Sequence, residues 1–224
     1  MRVAVCLSGH MRTYERVAPL LLDHIVRPNA ADVFISTWDG VGLRSSPDES
    51  PNGSPLDVDR VSEVYGEHLK RIRVFEFNKL QPIRPGLFYP AMNSMYWQVK
   101  QANTLRKEFE AETGAIYDVV VRARPDSLYP RAMKIDQWET SPLTIFVKWV
   151  NVYAMDDQFA MGSSFALDVY ASLFDEIEHL VQIKLPVPPG EPGPWWPEQT
   201  LRHHLMSHGI EIVPVPIEHS LCKV

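Results

Sequence analysis

The sequence predicts an α/β fold with a mainly parallel central sheet flanked by helices. Short apolar runs alternate with helix-spaced segments over the first 120 residues, an order that produces parallel strands joined by crossover helices. The opening run RVAVCL, 2–7, is continuously apolar, as a strand covered on both faces requires. The polar clusters fall just past the ends of predicted strands, where open sheets of this kind bind ligands.

The elements follow in order. RVAVCL is the first strand. Val17, Leu20, Leu21 and Ile25 then share one side of a helix, with Pro19 marking a first turn or a kink and Pro28 stopping the run. DVFIST, 32–37, reads as a second strand. Asp57 is placed to cap a helix carrying Val61, Val64, Tyr65 and Leu69. RIRVFEF, 71–77, alternates as a third strand. The clearest helix is capped by Asn93 or Ser94, carries Met95, Tyr96, Val99, Ala102, Leu105 and Phe109 every three or four residues, and ends at Gly114. YDVVV supplies a fourth strand and LTIFVKW, 143–149, another. Ser163 or Ser164 opens a helix with Leu167, Tyr170, Leu173, Phe174, Ile177 and Val181 on one side. Pro197 suits a first helical position, and that helix runs to about Ser207 before Gly209. The prolines of EIVPVPI place the last extended segment at an edge. Proline clusters at 47–55, 82–90 and 186–197 mark loops, which often carry function.

The totals set bounds. A chain of 224 residues, 45% hydrophobic, suits one domain. A formal charge of -6 argues against nonspecific nucleic-acid binding. No apolar run approaches membrane-spanning length, and the start is too quickly polar for a signal peptide. Cys6 and Cys222 form no metal or redox spacing. The expectation is a soluble, cytoplasmic protein.

Five clusters are able to carry chemistry. In SGHMRTY, 8–14, Ser8 and Gly9 permit a tight turn, and Arg12 suits a phosphate or a base. Neither GxxxxGK[ST] nor GxGxxG is present. In STWDG, Asp39 suits a ribose or base edge, or simply a turn before Gly40. In RARPDS, Arg122, Arg124 and Asp126 lie within five residues. They form either an Arg–Asp pair closing a strand end or a diphosphate site with a carboxylate-held divalent ion; spacing leaves both open. DDQFAMGSS offers Asp156 and Asp157 as a general base, as hydrogen-bond acceptors for a sugar hydroxyl, or simply as a solvated turn before a helix. In WWPEQ, Trp195 and Trp196 suit sugar rings, and Glu198 suits a hydroxyl or the helix dipole. His203 and His204 are neighbours and do not form the i, i+4 pair of zinc enzymes. His219 stands out only by its late position.

The ordered set VAVCLSGHMRTYE, ADVFISTWD, NSMYWQVKQANTL, YDVVVRARPDSLY, DQFAMGSS and PEQTLRHHL resembles a group of small glycosyltransferase-like proteins of bacterial surface-polysaccharide loci, algae and large viruses. The resemblance covers nearly the whole chain, and RxRxD and DQFAxGSS are its most specific parts. It implies one GT-A-like domain over 1–224, with 1–126 as the nucleotide-binding half and 127–224 as the acceptor-side half. It also implies a nucleotide-diphospho-sugar donor such as a UDP-sugar, a glycan or other hydroxyl acceptor, and a place in polysaccharide biosynthesis. Carried over, Arg124-Pro125-Asp126 takes the place of the family's DxD motif. Asp126 is then the ligand of Mn²⁺ or Mg²⁺, with His219 as a distal metal or phosphate ligand. Ser8, Gly9, Arg12 and Asp39 line the nucleotide pocket, and Asp157 faces the sugar or acceptor. An arginine replaces the first aspartate of DxD, so a guanidinium is available to neutralise the diphosphate instead.

The resulting expectation is a glycosyltransferase. Arg122, Arg124 and an Asp126-bound ion stabilise the departing diphosphate, with Asp157 as first and Glu198 as second candidate base. A noncatalytic nucleotide- or glycan-binding module and a sulfuryl or phosphoryl transferase are the alternatives.

Overall fold

Side-chain parity along the first strand decides the layering. In β1 (Val3–Ser8), Val3, Val5 and Leu7 pack into one hydrophobic cluster while Ala4 and Cys6 pack into a second. A strand buried on both faces divides its residues this way, because successive side chains point to opposite sides. The computed structural model describes residues 1–42, 53–77, 90–138, 141–180, 182 and 197–222.

After β1 come α1 (Tyr14–Leu21), β2 (Asp32–Trp38), α2 (Val58–Tyr65), β3 (Leu69–Phe75), α3 (Pro90–Thr113) and β4 (Val119–Ala123). Then follow β5 (Ser127–Leu128), β6 (Thr144–Val147), β7 (Ala160–Ser163), α4 (Ser164–Leu180), α5 (Pro197–Ser207), β8 (Glu211–Pro214) and β9 (Ser220–Leu221). The main sheet has the order β3-β2-β1-β4-β7-β6-β8. Its β3-β2-β1-β4 part is parallel, β7 is antiparallel to both neighbours, and β8 runs parallel to β6. α1 and α2 supply one covering layer through Ala18, Leu21, Val61 and Tyr65. α3, α4 and α5 supply the other through Tyr96, Val99, Leu167, Leu173, Leu201 and Leu205. The chain is therefore α/β with a mainly parallel sheet between helices, as expected.

Local signals hold where the backbone demands them. Asp57 accepts from the Arg60 amide at 2.9 Å and caps α2. Gly114, at φ +70°, follows the last residue of α3, and Gly209, at φ +71°, lies just beyond α5. Three details depart from expectation. α3 starts at Pro90, so Asn93 lies buried inside it and caps nothing. Pro19 sits within α1, and a wider π-type turn over Leu22–Val26 follows, the local adjustment by which a helix passes a proline. The AMGS residues of DDQFAMGSS carry no strand signal, yet they form β7 because β4 and β6 pair with it on either side. The expected roles of Trp195 and Trp196, and most of the three proline clusters, lie outside the described residues. Among those residues no helix is long and apolar enough to cross a membrane.

A short second sheet matters for the site. β5 pairs with β9, and the Cys222 amide donates to the Asp126 carbonyl at 2.9 Å. The end of the chain is thereby folded back against the segment that follows β4.

Gly162 in β7 lets β6 approach closely: a Cβ there would stand 2.8 Å from the Thr144 carbonyl oxygen and 3.1 Å from Leu167. Gly162→Ala is expected to cost about 1–3 kcal/mol, the usual range for overpacking. The urea midpoint reads this directly, and an unchanged midpoint would contradict the packing described.

Candidate active site

The strand order creates a crevice. From β1 the chain steps outward to β2 and β3, then returns through α3 to β4 on the other side of β1. Connections leave β1 and β4 in opposite senses, and in open α/β sheets the gap beyond the carboxyl ends at such a switch is where ligands bind. Ser8 ends β1, and the segment after it holds Gly9 and Arg12. The segment after β4 holds Arg124 and Asp126. β7 enters from the same end, since Ala160 pairs with Arg122, so Asp156 and Asp157 arrive there too.

Asp126 ties the two segments together. It is only 2% exposed. Its Oδ1 accepts from Arg124 Nε at 2.8 Å, and its Oδ2 accepts from Arg124 Nη2 at 2.8 Å and from Arg12 Nη1 at 3.1 Å. Burial alone would raise its pKa, but the two guanidinium groups outweigh burial and hold the carboxyl below its usual value. Arg12 reaches this position from φ +38°, a left-handed backbone that non-glycine residues seldom adopt and that costs on the order of 1–3 kcal/mol. Its amide is held by the Val41 carbonyl at 2.6 Å. Gly9, at φ +114°, makes the preceding turn without such strain.

Arg122 lies beneath this network. It is 2% exposed, and its Nε and Nη1 have no partner among the described residues. With Ser8 and Tyr170 it lines a small internal cavity. Its positive charge acts on Asp157, whose carboxyl is nonetheless raised. Burial is the main cause; neighbouring Asp156 adds to it, and Arg122 and Arg124 oppose it. Glu198 at the start of α5 is raised as well, first by burial, with Asp157 and Asp156 contributing. The loop and helix bearing these carboxylates are fixed by tyrosines. Tyr170 donates to the Asp157 carbonyl at 3.1 Å, and Tyr96 donates to the Pro197 carbonyl at 2.9 Å. Asp156 is bound to His219, Oδ2 to Nε2 at 2.8 Å, both side chains buried.

Asp39 closes the far side. Its Oδ1 accepts from the Phe77 amide at 3.1 Å, and its own amide donates to the Phe75 carbonyl at 2.9 Å. Around it, Trp38 stacks on Trp97 with ring centres 5.6 Å apart, and His10 and Phe77 pack at 5.5 Å. Burial lowers the pKa of His10.

The structure thus gathers Arg12, Arg122, Arg124, Asp126, Asp156, Asp157 and Glu198 into one charge-coupled group, with Ser8 at its base and Asp39 among the aromatic rings. The divalent-ion arrangement is not supplied by these residues. Both oxygens of Asp126 are committed to arginines, His219 is committed to Asp156, and neither Asp126 nor His219 belongs to a described set of three converging carboxylate, imidazole or thiolate atoms. In this arrangement the described residues do not fit a metal at Asp126.

Sequence reasoning missed two charged groups. Arg106, 1% exposed inside α3, binds Glu110, Asp168, Ser164 and Asn103 and joins α3 to α4; its i, i+4 spacing to Glu110 was the available signal. The other is a Glu176–His204–His208 cluster.

No family model matches the chain and no curated protein matches it. Among solved structures the chain is similar to a glycosyltransferase involved in the glycosylation of the major capsid of PBCV-1, with a TM-score of 0.45 and 7% identity, over 96% of this chain and 82% of that one.

Removing Asp126 leaves two arginines facing each other. Asp126→Ala is expected to cost about 3–5 kcal/mol, as loss of one partner of a buried pair does. Because the folded carboxyl lies below its unfolded value, the pair's contribution is complete above about pH 3.9 and is lost as pH falls through the folded value. The deficit of the variant, read by denaturant unfolding, should shrink over that acid range. A deficit independent of pH would contradict the ion-pair account.

Proposed function

We propose that the chain is a glycosyltransferase that moves a sugar from a nucleotide-diphosphate donor to a hydroxyl of a glycan or similar acceptor. The observation that carries this reading is the meeting of Arg12 and Arg124 on one buried carboxylate at the switch-point crevice. Two guanidinium charges against one carboxylate leave the β1–β4 side of the crevice positive, across from Asp156, Asp157 and Glu198. Arg12, with a side chain 38% exposed, is the member open to a ligand. A diphosphate answers that charge, and the aromatic rings around Asp39 supply flat surfaces for a base. In this reading the 1–126 half holds the nucleotide and the 127–224 half faces the acceptor.

In the transfer, the acceptor oxygen bonds to the anomeric carbon as the bond from that carbon to the diphosphate oxygen breaks. The diphosphate leaves with the electron pair. Arg12 and Arg124 stabilise that growing charge more than they stabilise the intact donor, and because they are locked to Asp126 they are aimed before reaction. Arg122, buried beneath, adds a fixed charge to the same field. The acceptor proton passes to Asp157, whose raised pKa makes it a better base than an ordinary exposed carboxylate. Glu198, raised beside it, is placed to accept a hydrogen bond from an acceptor hydroxyl. No step is routed through a divalent ion.

Four outcomes are expected. In a thermal-shift screen followed by donor-hydrolysis assays, at least one nucleotide-diphosphate sugar should stabilise the folded protein and turn over. Stabilisation without turnover for any donor would instead favour a binding module. Asp157→Asn should lower kcat/KM by about 10²–10⁴-fold while the donor still raises Tm, and wild-type turnover in that variant would remove Asp157 as the base. With the wild-type enzyme, kcat/KM should fall as pH drops through an ionisation above the usual aspartate range. Turnover should also proceed without added Mn²⁺ or Mg²⁺; strict dependence on added Mn²⁺ would restore the expectation of a metal at Asp126 and His219.

A further inference from the structure

The Glu176–His204–His208 cluster belongs to neither half of the crevice. Glu176 lies on α4, His204 on the last turns of α5, and His208 just past the end of that helix. One ligand atom from each lies within 4.8 Å of the other two. The two histidines are four residues apart, so they share one side of the helix and its terminal turn.

The hydrogen bonds fix which nitrogen of each ring is free. His204 Nε2 is 2.8 Å from the Val169 carbonyl oxygen. A carbonyl only accepts, so Nε2 carries the proton. His208 Nδ1 is 2.9 Å from the His204 carbonyl oxygen and carries its proton for the same reason. The remaining nitrogens, His204 Nδ1 and His208 Nε2, therefore present lone pairs when the rings are neutral. Each points at an oxygen of the same carboxylate, at 3.3 Å from Glu176 Oε2 and 3.3 Å from Glu176 Oε1 respectively. His204 Nδ1 is fully buried and makes no hydrogen bond. A lone pair facing a carboxylate repels it unless a proton or a metal cation stands between them, and one metal ion answers both contacts at once.

We propose that Glu176, His204 and His208 form a binding site for a zinc-type transition-metal ion. Two imidazoles and a carboxylate are borderline ligands that suit Zn²⁺ over Mg²⁺ or Ca²⁺. Zn²⁺ bonds of about 2.0–2.2 Å in a tetrahedron put neighbouring ligand atoms about 3.3–3.5 Å apart; each ring nitrogen here stands 3.3 Å from one oxygen of the carboxylate, and the three ligand atoms lie within 4.8 Å of one another. Donation from each outer ring nitrogen to a backbone carbonyl is the support that orients metal-bound histidines. His204 is fully enclosed, whereas the Glu176 and His208 side chains are 38% and 37% exposed. Water thus reaches the fourth position and the ion has an entry path. The metal clamps the end of α5 to α4. Glu198 stands at the other end of α5, about 15 Å away along the axis, so the clamp holds the helix that carries it. This proposal does not depend on the reading of the crevice.

The test uses the full chain stripped of metal by chelation and titrated with ZnCl₂ by calorimetry, with thermal unfolding in parallel. One equivalent of Zn²⁺ should bind and raise Tm. Co²⁺ in its place should give the visible absorption of a four-coordinate site. His208→Ala and Glu176→Gln alter partly exposed groups and should fold. Each should weaken Zn²⁺ binding at least ~10-fold, the lower end of what losing even an outer partner costs, and should abolish the Co²⁺ spectrum. A wild-type protein that takes up no Zn²⁺ overturns the proposal. So does either variant binding Zn²⁺ with wild-type affinity and stoichiometry, which would place the ion elsewhere.

Discussion

The bond between the buried Asp126 carboxylate and the guanidinium groups of Arg12 and Arg124 is the constraint on which the site depends. It joins the segment after β1 to the segment after β4, the two that leave the sheet in opposite senses. Burying a carboxylate is costly, and only close pairing and full hydrogen bonding offset that cost. Here three donor contacts do so. The left-handed backbone at Arg12 is a second cost, borne at the residue that completes the link. Strain and desolvation both fall where rigid, outward positive charge is useful.

The same electrostatics divide the crevice. On the β1–β4 side, arginine charge exceeds carboxylate charge. On the β7–α5 side, burial pushes Asp157 and Glu198 toward their protonated forms, with Asp156 adding to the first and Asp157 and Asp156 to the second. A cationic region suits a departing anion, and a carboxylate of raised pKa suits a proton in transit. Arg122 lies below the boundary and stops Asp157 from rising further. His219 is bonded to Asp156, not to Asp126. It fixes Asp156, and it is brought there by the pairing of β9 with β5.

Much of the fold was legible because its signals are local. The apolar run of β1, the Asp57 cap and the glycines that follow α3 and α5 each state a backbone preference within a few residues. β7 was not legible: four residues containing glycine have no strand preference of their own, and partners on both sides make the strand. The site was legible in part. The spacing of RARPD leaves an Arg–Asp pair and a diphosphate site both open, and the structure contains the pair. Nothing in the spacing says that Arg12, from a distant segment, shares the same carboxylate, or that this sharing occupies the oxygens a metal would need. The histidine cluster escaped for a related reason. His204 meets His208 across a helix end, not its neighbour His203, and Glu176 joins them only through the packing of α4 on α5.

The central claim is that the arginines gathered on Asp126 exist to receive a diphosphate. Calorimetric binding of a nucleoside diphosphate and of the matching nucleoside, to wild-type protein and to Arg12→Gln, tests it most directly. The account predicts that the diphosphate binds wild type far more tightly than the nucleoside does, and that Arg12→Gln erases most of that difference while leaving nucleoside binding unchanged. Equal affinities for the two ligands in wild type, or an undiminished preference in Arg12→Gln, would contradict it.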